Sequence, residues 1–329
     1  MTLIISNESD LSTNQVINWL NYFKSPFVRI NPTTRVTIKK IVIASGVIDT
    51  LLEICDGFET KELSLASIKS FWYRRGNFQK NIQKSDAVES VIKQEISTYL
   101  SKEYDCILNF LHQINNFNKN YIGNYFDNNT NKLFNLVVAN SVGLDIPNTL
   151  VTTESAILIQ FFKNNTALIT KAINNGGAPI PKLNFQFGAG THEVFIDSID
   201  KALSFPSLFQ SLLEKDYELR VFHLKGRNYA SAIFSQFDEK TKIDFRNYND
   251  DKPNRVVPYS LPSDINKKIN KLMIKLNMNC GSIDIVVTKD KKYVFLEINP
   301  IGQFSQVSLP CNYFLEKVIA KKLTLNGGK

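Results

Sequence analysis

Apolar residues along the chain follow two spacings, alternation in some stretches and steps of three and four in others. Leu3-Ile-Ile-Ser6 predicts a short strand. Ser12 or Thr13 can cap the helix that follows, which carries Val16, Ile17, Trp19 and Leu20. Arg35–Ser45 is strand-like, with an apolar end at Ile41-Val-Ile43. Ser85–Lys102 shows helical spacing through Val88, Val91, Ile92 and Ile96, and Cys106-Ile-Leu-Asn-Phe110 predicts a strand. These elements make residues 1–115 an α/β domain.

Residues 109–131 hold nine asparagines and few aliphatics, which suggests a boundary or a solvated connection. The spacing then predicts a helix over Lys132–Val142, with Gly143 placed for a left-handed C-terminal cap and Pro147 just beyond. Ala167–Ala172 predicts a strand. Asn174–Ala178 and Gly188–Thr191 are loop-like and flank a possible hairpin. Leu208 to about Asn299 reads as a mostly antiparallel sheet with one long helix inserted. A helix over Tyr313–Leu323, with Phe314, Leu315, Val318 and Ile319 on one face, closes the chain. At 329 residues the chain exceeds the roughly 250–300 that one core supports, so two or three lobes are expected. The divisions fall at 1–115, 116–206 and 207–329.

Hydrophobic residues make up 43% and charged residues 21%, which excludes a wholly disordered chain or a fibre. No apolar run approaches the roughly 20 residues of a membrane span. The start has neither the basic residues nor the cleavage site of a signal peptide. Four scattered cysteines and three isolated histidines make a zinc site or a disulfide framework unexpected and fit a reducing cytoplasm. The net charge of +8 suits an anionic ligand without choosing one. The lysines of Asp264–Leu276 read as a solvated helix face, so nucleic acid is not expected as a partner.

The strongest chemical signal is Gly281-Ser-Ile-Asp-Ile-Val-Val-Thr288, then Lys289–Lys292, then Tyr293-Val-Phe-Leu-Glu-Ile-Asn-Pro300. Two β-prone runs flank four turn-like residues, a hairpin signal. A symmetric loop at Lys289–Lys292 would set Asp284 opposite Glu297 and Ser282 opposite Asn299. Asp284, Glu297 and Asn299 then share a face. Like charges directly opposed are destabilising, so something positive must sit between them. Magnesium fits, because it is often held by one or two carboxylates plus substrate phosphates. A salt bridge to arginine or lysine fits as well, and spacing alone leaves both open.

Lys171 ends an apolar run, and Lys132 begins a helix, where the dipole disfavours a cation. A phosphate would suit both lysines. Glu218 and Arg220 alternate in phase, and their simplest role is a structural ion pair. Gly176-Gly177 and Gly188-Ala-Gly190 form neither a P-loop nor a dinucleotide fingerprint.

Taken in order, Lys132, Lys171, Gln210, Glu218, Asp284 and Glu297-x-Asn299-Pro300 resemble the ATP-grasp pattern. The likeness extends through Phe71-Trp-Tyr-Arg-Arg-Gly76, Leu208-Phe-Gln210, Glu218-Leu-Arg-Val-Phe222, Ser235-Gln236, Asp244-Phe-Arg-Asn-Tyr248 and Leu296-Glu-Ile-Asn-Pro-Ile-Gly302. Across the whole chain these resemble the grasp-with-spasm peptide maturases, relatives of the microviridin and other graspetide ligases. The resemblance implies an α/β (α+β) chain with the ATP-grasp fold: an N-terminal pre-ATP-grasp α/β domain, a central domain and a C-terminal antiparallel-sheet lobe, with ATP between the last two. It implies ATP and Mg2+ as cofactors. Lys132 and Lys171 would hold phosphates, Gln210 would lie near adenine, and Glu218 would meet the ribose hydroxyls. Asp284, Glu297 and Asn299 would carry the metal. Arg246 resembles an arginine near the transferred phosphate or the bound carboxylate, and with Lys171 and Arg220 it makes up the candidate catalytic set. No role is carried over for Trp72 or Arg74.

The implied activity is ATP-dependent cyclisation of a ribosomally made precursor peptide, joining Asp or Glu side chains to Thr or Ser hydroxyls or Lys amines. The implied partners are that precursor, leader and core, and a second copy of the chain. The candidate leader-docking hairpin is Leu183–Ile196, through Phe185, Phe187, Val194 and Phe195; an ordinary hairpin with its aromatics in the core is the plainer reading. Two other activities fit the same residues: an ATP-grasp ligase that adds free amino acids to a protein or small acid, and a nucleotide-binding regulator without catalysis.

Overall fold

A parallel sheet opens the chain and an antiparallel one carries its chemistry. The protein is described by a computed structural model that covers residues 1–80, 90–117, 120–174, 178–180, 185–187, 190–198, 205–238, 241–244, 249 and 251–324. The chain divides into two units: 1–128 with 314–329, and 129–313.

The first unit contains β1 (Thr2–Ile5), α1 (Leu11–Tyr22), β2 (Phe27–Ile30), β3 (Arg35–Ala44), β4 (Val47–Cys55), β5 (Thr60–Ser64), β6 (Ser70–Tyr73), α2 (Ser90–Asn116) and β7 (Asn120–Ile122). Strands β2-β1-β6-β7 pair in parallel, and β1 and β6 are buried along their whole length, as central parallel strands are. A second, antiparallel sheet has the order β3-β4-β5.

Two sequence expectations change here. The cap of α1 is Asp10, whose Oδ1 accepts the Thr13 N–H at 2.9 Å, so Ser12 and Thr13 lie inside the first turn. The segment Cys106–Phe110 is not a strand but the middle of α2. Its short apolar run is ambiguous by itself. The deciding pattern lies further on, where Leu108, Leu111, His112 and Asn115 are buried at helical steps of three and four. The asparagine-rich stretch therefore contains the end of α2 and all of β7. The start of the predicted Ser85–Lys102 helix lies outside the described residues.

The second unit contains α3 (Lys132–Ser141), β8 (Thr149–Thr152), α4 (Ser155–Lys163), β9 (Leu168–Lys171), β10 (Ala178–Ile180), β11 (Phe185–Phe187), β12 (Thr191–Val194), β13 (Ser207–Ser211), β14 (Lys215–Leu224), β15 (Arg227–Phe234), β16 (Arg255–Tyr259), α5 (Ser263–Lys275), β17 (Cys280–Thr288), β18 (Tyr293–Asn299) and α6 (Ser305–Cys311). The last helix, α7 (Leu315–Thr324), belongs to the first unit and packs on α1. Gly143 takes φ +84° behind α3, the left-handed cap that the sequence predicts.

Two antiparallel sheets frame this unit. One has the order β12-β9-β13-β8, and α4 packs on it through Leu158, with Leu168 and Phe209 beneath. The other has the order β16-β15-β14-β17-β18. One face of the second sheet, with Leu219, Val221, Ile283, Ile285, Phe295 and Ile298, joins the core made with α3 and α5. Its other face carries the polar residues of the site.

The Leu183–Ile196 stretch is not one hairpin. β11 pairs with β10, whereas β12 joins the larger sheet through β9. Val194 packs against the Leu158–Leu168–Phe209 cluster, and Phe195 is exposed.

Candidate active site

The β17–β18 hairpin sets the two central carboxylates. Asp284 pairs with Glu297, and Ser282 with Asn299, as the sequence predicts. The turn differs from the expected four-residue loop. Val287 pairs with Tyr293, the Thr288 N–H donates to the Lys292 carbonyl at 3.0 Å, and Lys291 takes φ +65°. The loop is thus three residues long. A bulge at Leu296 adds one residue back on β18 and restores the expected pairing before Glu297 is reached. The same bulge lets Phe295 and Ile298, three residues apart, both enter the core while Glu297 faces the cleft.

Across β14, Arg220 lies opposite Asp284, and its Nη1 donates to Asp284 Oδ1 at 2.5 Å. Both residues are buried. The expected Glu218–Arg220 ion pair is not formed. Glu218 is instead paired with Lys215, whose Nζ donates to Oε1 at 2.7 Å and to the Ile243 carbonyl at 2.9 Å. Ser235 Oγ donates to the other oxygen of Glu218 at 2.6 Å. Burial raises the Glu218 pKa, against the opposing pull of the Lys215 ammonium and the hydrogen bonds from Lys215 and Ser235.

The smaller sheet supplies the opposite wall. Lys171 pairs across strands with Thr191, Ile169 with Gln210, and Gln210 with Thr149, so these residues share a face. Gln210 is 1% exposed. Its Nε2 donates to Thr149 Oγ1 at 3.0 Å, and its Oε1 is a buried acceptor with no donor among the described residues. Thr191 Oγ1 donates to Asp244 Oδ2 at 3.2 Å. Lys171, Thr191, Gln210, Lys215, Glu218, Asp244, Asp284 and Glu297 line one open cleft.

Glu297 meets both candidate phosphate lysines. Its Oε2 is 3.5 Å from Lys132 Nζ and 3.9 Å from Lys171 Nζ, long for direct hydrogen bonds. Lys132 Nζ also donates to the Ala172 carbonyl at 3.3 Å. At the start of α3 the Asn131 side chain caps the helix by accepting the Leu133 and Phe134 N–H groups. Asn299 Oδ1 accepts the Ile301 N–H at 3.2 Å.

The positive charge required beside Asp284 and Glu297 is therefore present in the chain itself, as Arg220 and two lysines. The described residues contain no group of three or more His, Cys, Asp or Glu placed to hold a metal ion. Two carboxylates and a carboxamide do fit magnesium, which keeps water and phosphate oxygens in its shell.

Sequence reasoning missed Lys215 and Asp244 as cleft residues. On a regular strand Lys215 and Glu218 would face opposite sides. A register shift between Lys215 and Tyr217 puts them on one side. Asp244 stood in a recognised motif, but nothing in the spacing showed where its carboxylate would be. Arg246 lies outside the described residues.

No protein-family model and no curated protein sequence matches the chain. Solved structures do. The Chryseobacterium gregarium ATP-grasp ligase associated with a ribosomally synthesised peptide, in complex with ADP and a leader and core peptide, is 23% identical. That match has a TM-score of 0.77 and covers 98% of this chain and 95% of that one. The Microcystis aeruginosa macrocyclase MdnC, bound with its precursor peptide MdnA, is 25% identical with a TM-score of 0.73, covering 98% and 99%. The ATP-grasp ligase PsnB, complexed with minimal precursor, Mg and ADP, is 16% identical with a TM-score of 0.71, covering 98% and 96%. The chain has the ATP-grasp fold. It has that fold in the form these peptide ligases share, over nearly its whole length.

Proposed function

We propose that the chain is an ATP-dependent macrocyclase of a ribosomally made precursor peptide. The observation that carries this reading is the cleft of the second unit. There the buried Asp284 and the half-buried Glu297 face Lys171 and Gln210 across two antiparallel sheets. Likeness to peptide-bound ATP-grasp ligases over 98% of the chain supports the substrate class.

The chemistry follows from charge. A peptide carboxylate repels nucleophiles and has a poor leaving group. One of its oxygens bonds to the γ-phosphorus of ATP as the bond to the β–γ bridging oxygen breaks, and ADP leaves. A Thr or Ser hydroxyl, or a Lys amine, then attacks the acyl carbon, and phosphate departs with that oxygen. No enzyme nucleophile is needed, and the protein positions the groups and screens their charge.

Magnesium bound by Asp284, Glu297 and Asn299 would neutralise charge on the phosphoryl oxygens. Lys132 and Lys171 add fixed positive charge beside Glu297. Arg220 holds Asp284 in place, and Gln210 offers its buried acceptor to the base. Glu218, already held by Lys215 and Ser235, serves the ribose from a fixed position. Arg246 is proposed to meet the transferred phosphate or the acceptor carboxylate.

The stretch around β10–β11 and the exposed Phe195 is proposed to dock the leader. Phe195→Ser should then weaken leader binding and leave ADP affinity unchanged. The proposal keeps the three-part division at 1–115, 116–206 and 207–329, a cytoplasmic setting and a homodimer. Four free cysteines support the setting, and among the described residues no helix is long and apolar enough to cross a membrane.

The deciding experiment is co-expression with candidate short precursor genes from the same locus, followed by intact-mass analysis. Loss of one water per bond is expected. Mass gain would point to amino-acid addition, and no peptide-dependent ADP release would end the ligase reading.

A further inference from the structure

The parallel sheet of the first unit reverses its order at one place. β1 leads through α1 to β2 on one side, and its neighbour β6 leads through α2 to β7 on the other. In open parallel sheets, ligands bind in the crevice outside the carboxyl ends of the two strands where the order reverses. Residues 6–10 after β1 and residues 74–76 after β6 flank that crevice. The second loop is pinned to the end of β1, because the Arg74 and Arg75 N–H groups both donate to the Ile5 carbonyl, at 2.9 and 3.3 Å. Gly76 takes φ +87°, and a Cβ there would come 3.0 Å from Asn7 Oδ1, so the two loops approach closely.

Two guanidiniums share one buried carboxylate at this point. Arg74, 3% exposed, sets its Nε 3.4 Å from Asp10 Oδ2 and donates from Nη2 to Ser12 Oγ at 3.2 Å. Arg75 sets its Nε 2.9 Å from the same oxygen. Burial by itself would raise the Asp10 pKa; Arg74 first, then Ser12, Thr13 and Arg75, bring it below the ordinary carboxylate range. The nearby Arg29 of β2 is committed elsewhere, with Nη1 donating to Asn14 Oδ1 at 2.6 Å, Nη2 to Ser6 Oγ at 2.8 Å, and the exposed Glu8 close by. Arg75 is the open member. Its side chain is 34% exposed, and its two Nη groups make no hydrogen bond among the described residues. Two guanidiniums against one carboxylate leave one positive charge over. The fork that carries it has the shape to hold a planar oxyanion by two parallel bonds.

We propose that this crevice binds a carboxylate through the Nη groups of Arg75, with Asp10 fixing that guanidinium and Arg74 fixing Asp10. The source we assign is an acidic side chain of the precursor peptide, an assignment that rests on the macrocyclase reading. The carboxylate is held for recognition and not for activation, because the cluster contains neither a phosphate lysine nor a metal carboxylate. Arg75 is then a specificity residue for acidic peptides.

Calorimetry on the full chain, saturated with ADP and magnesium, tests this with an end-blocked hexaglutamate peptide as the probe. The wild type should bind hexaglutamate and not hexaglutamine. Arg75→Gln should weaken hexaglutamate at least about tenfold and leave ADP affinity and melting temperature unchanged. Arg75→Lys keeps a positive charge beside Asp10 but loses the fork, and it should still weaken the probe severalfold. Lys267→Gln removes a charge from the exposed face of α5 and should change nothing. Equal affinity in wild type and Arg75→Gln overturns the proposal, as does wild-type affinity in Arg75→Lys. An equal loss in Lys267→Gln overturns it in favour of attraction by net charge alone. Inorganic phosphate that displaces the probe, with the same dependence on Arg75, overturns the carboxylate assignment. Absence of peptide-dependent ADP release would remove the ligase reading and with it the peptide as source, while Arg75-dependent hexaglutamate binding would still establish the carboxylate site.

Discussion

Arg220 stands directly across from Asp284 on neighbouring strands, its Nη1 2.5 Å from Oδ1. A second nitrogen of the same guanidinium, Nη2, donates to Gln303 Oε1 at 3.5 Å. The pair lies in the β-sheet that also carries Glu297, so the chain itself supplies the positive partner of Asp284. Removing one partner strands a buried charge. Asp284→Asn should lower stability in urea by about 3 kcal/mol. A double change to Arg220→Met and Asp284→Met removes both charges and should recover most of that loss. If the pair serves only the fold, the double variant would also regain peptide-dependent ADP release. We expect that release to stay absent.

Lys132 and Lys171 both approach Glu297 in the cleft, at 3.5 and 3.9 Å from its Oε2. Lys132→Met or Lys171→Met should each weaken ADP binding, measured calorimetrically with magnesium, by at least about tenfold. Melting temperature should move little by comparison. Unchanged ADP affinity in both variants would remove them from the phosphate site.

Gly123 takes φ +68° in the first unit, and a Cβ there would collide with the carbonyl oxygen of Tyr73. The obstacle is backbone, so it cannot rotate away. Gly123→Ala should cost about 2 kcal/mol or more in chemical denaturation. A variant as stable as wild type would mean that this turn shifts freely.

A buried and a half-buried group of the first unit, His112 and Asp127, set opposing pH dependences. His112 stacks on Tyr125 at 4.1 Å, and burial pushes its pKa down to about 3. Between pH 3 and about 6.5 the unfolded chain binds this proton more readily, so His112 makes stability rise with pH. Burial pushes Asp127 up to about 7. From about pH 4 to 7 the folded chain holds that proton more tightly, so Asp127 makes stability fall as pH rises. The two slopes oppose each other over much of this range. Asp127→Asn should therefore steepen the loss of stability on acidification below pH 6.5, and His112→Gln should flatten or reverse it. Parallel pH profiles for wild type and both variants would contradict the assignment.

The carboxylate pairing was legible in the sequence for a partly accidental reason. A four-residue loop was expected at Lys289–Lys292. The chain makes a three-residue loop and then gains a residue at Leu296, and the two differences cancel at Glu297. Neither bulge leaves a mark in the alternation of apolar residues, which is why Lys215 was not picked out beside Glu218. The α2 misreading has another origin. Cys106-Ile-Leu-Asn-Phe110 has the composition of a strand, and only the buried positions after it reveal the helical period. Arg220 was visible as a candidate, but its partner was not, because alternation along β14 says nothing about which strand lies beside it. The left-handed turn at Gly143 and the inserted helix α5 were readable because each rests on local spacing, whereas of the four parallel strands only β1 was read.

The return of α7 to α1 bears on how the protein is made. Ser70 Oγ donates to the Leu323 carbonyl at 2.7 Å, and Lys317 lies over the Trp19 ring at 4.7 Å. Residues 129–313 are contiguous and have all their strands once translated. The first unit lacks helix α7 until Leu315–Thr324 has been synthesised, after all of residues 129–313. The nascent polypeptide must therefore keep its earliest segment competent for docking while the later one folds.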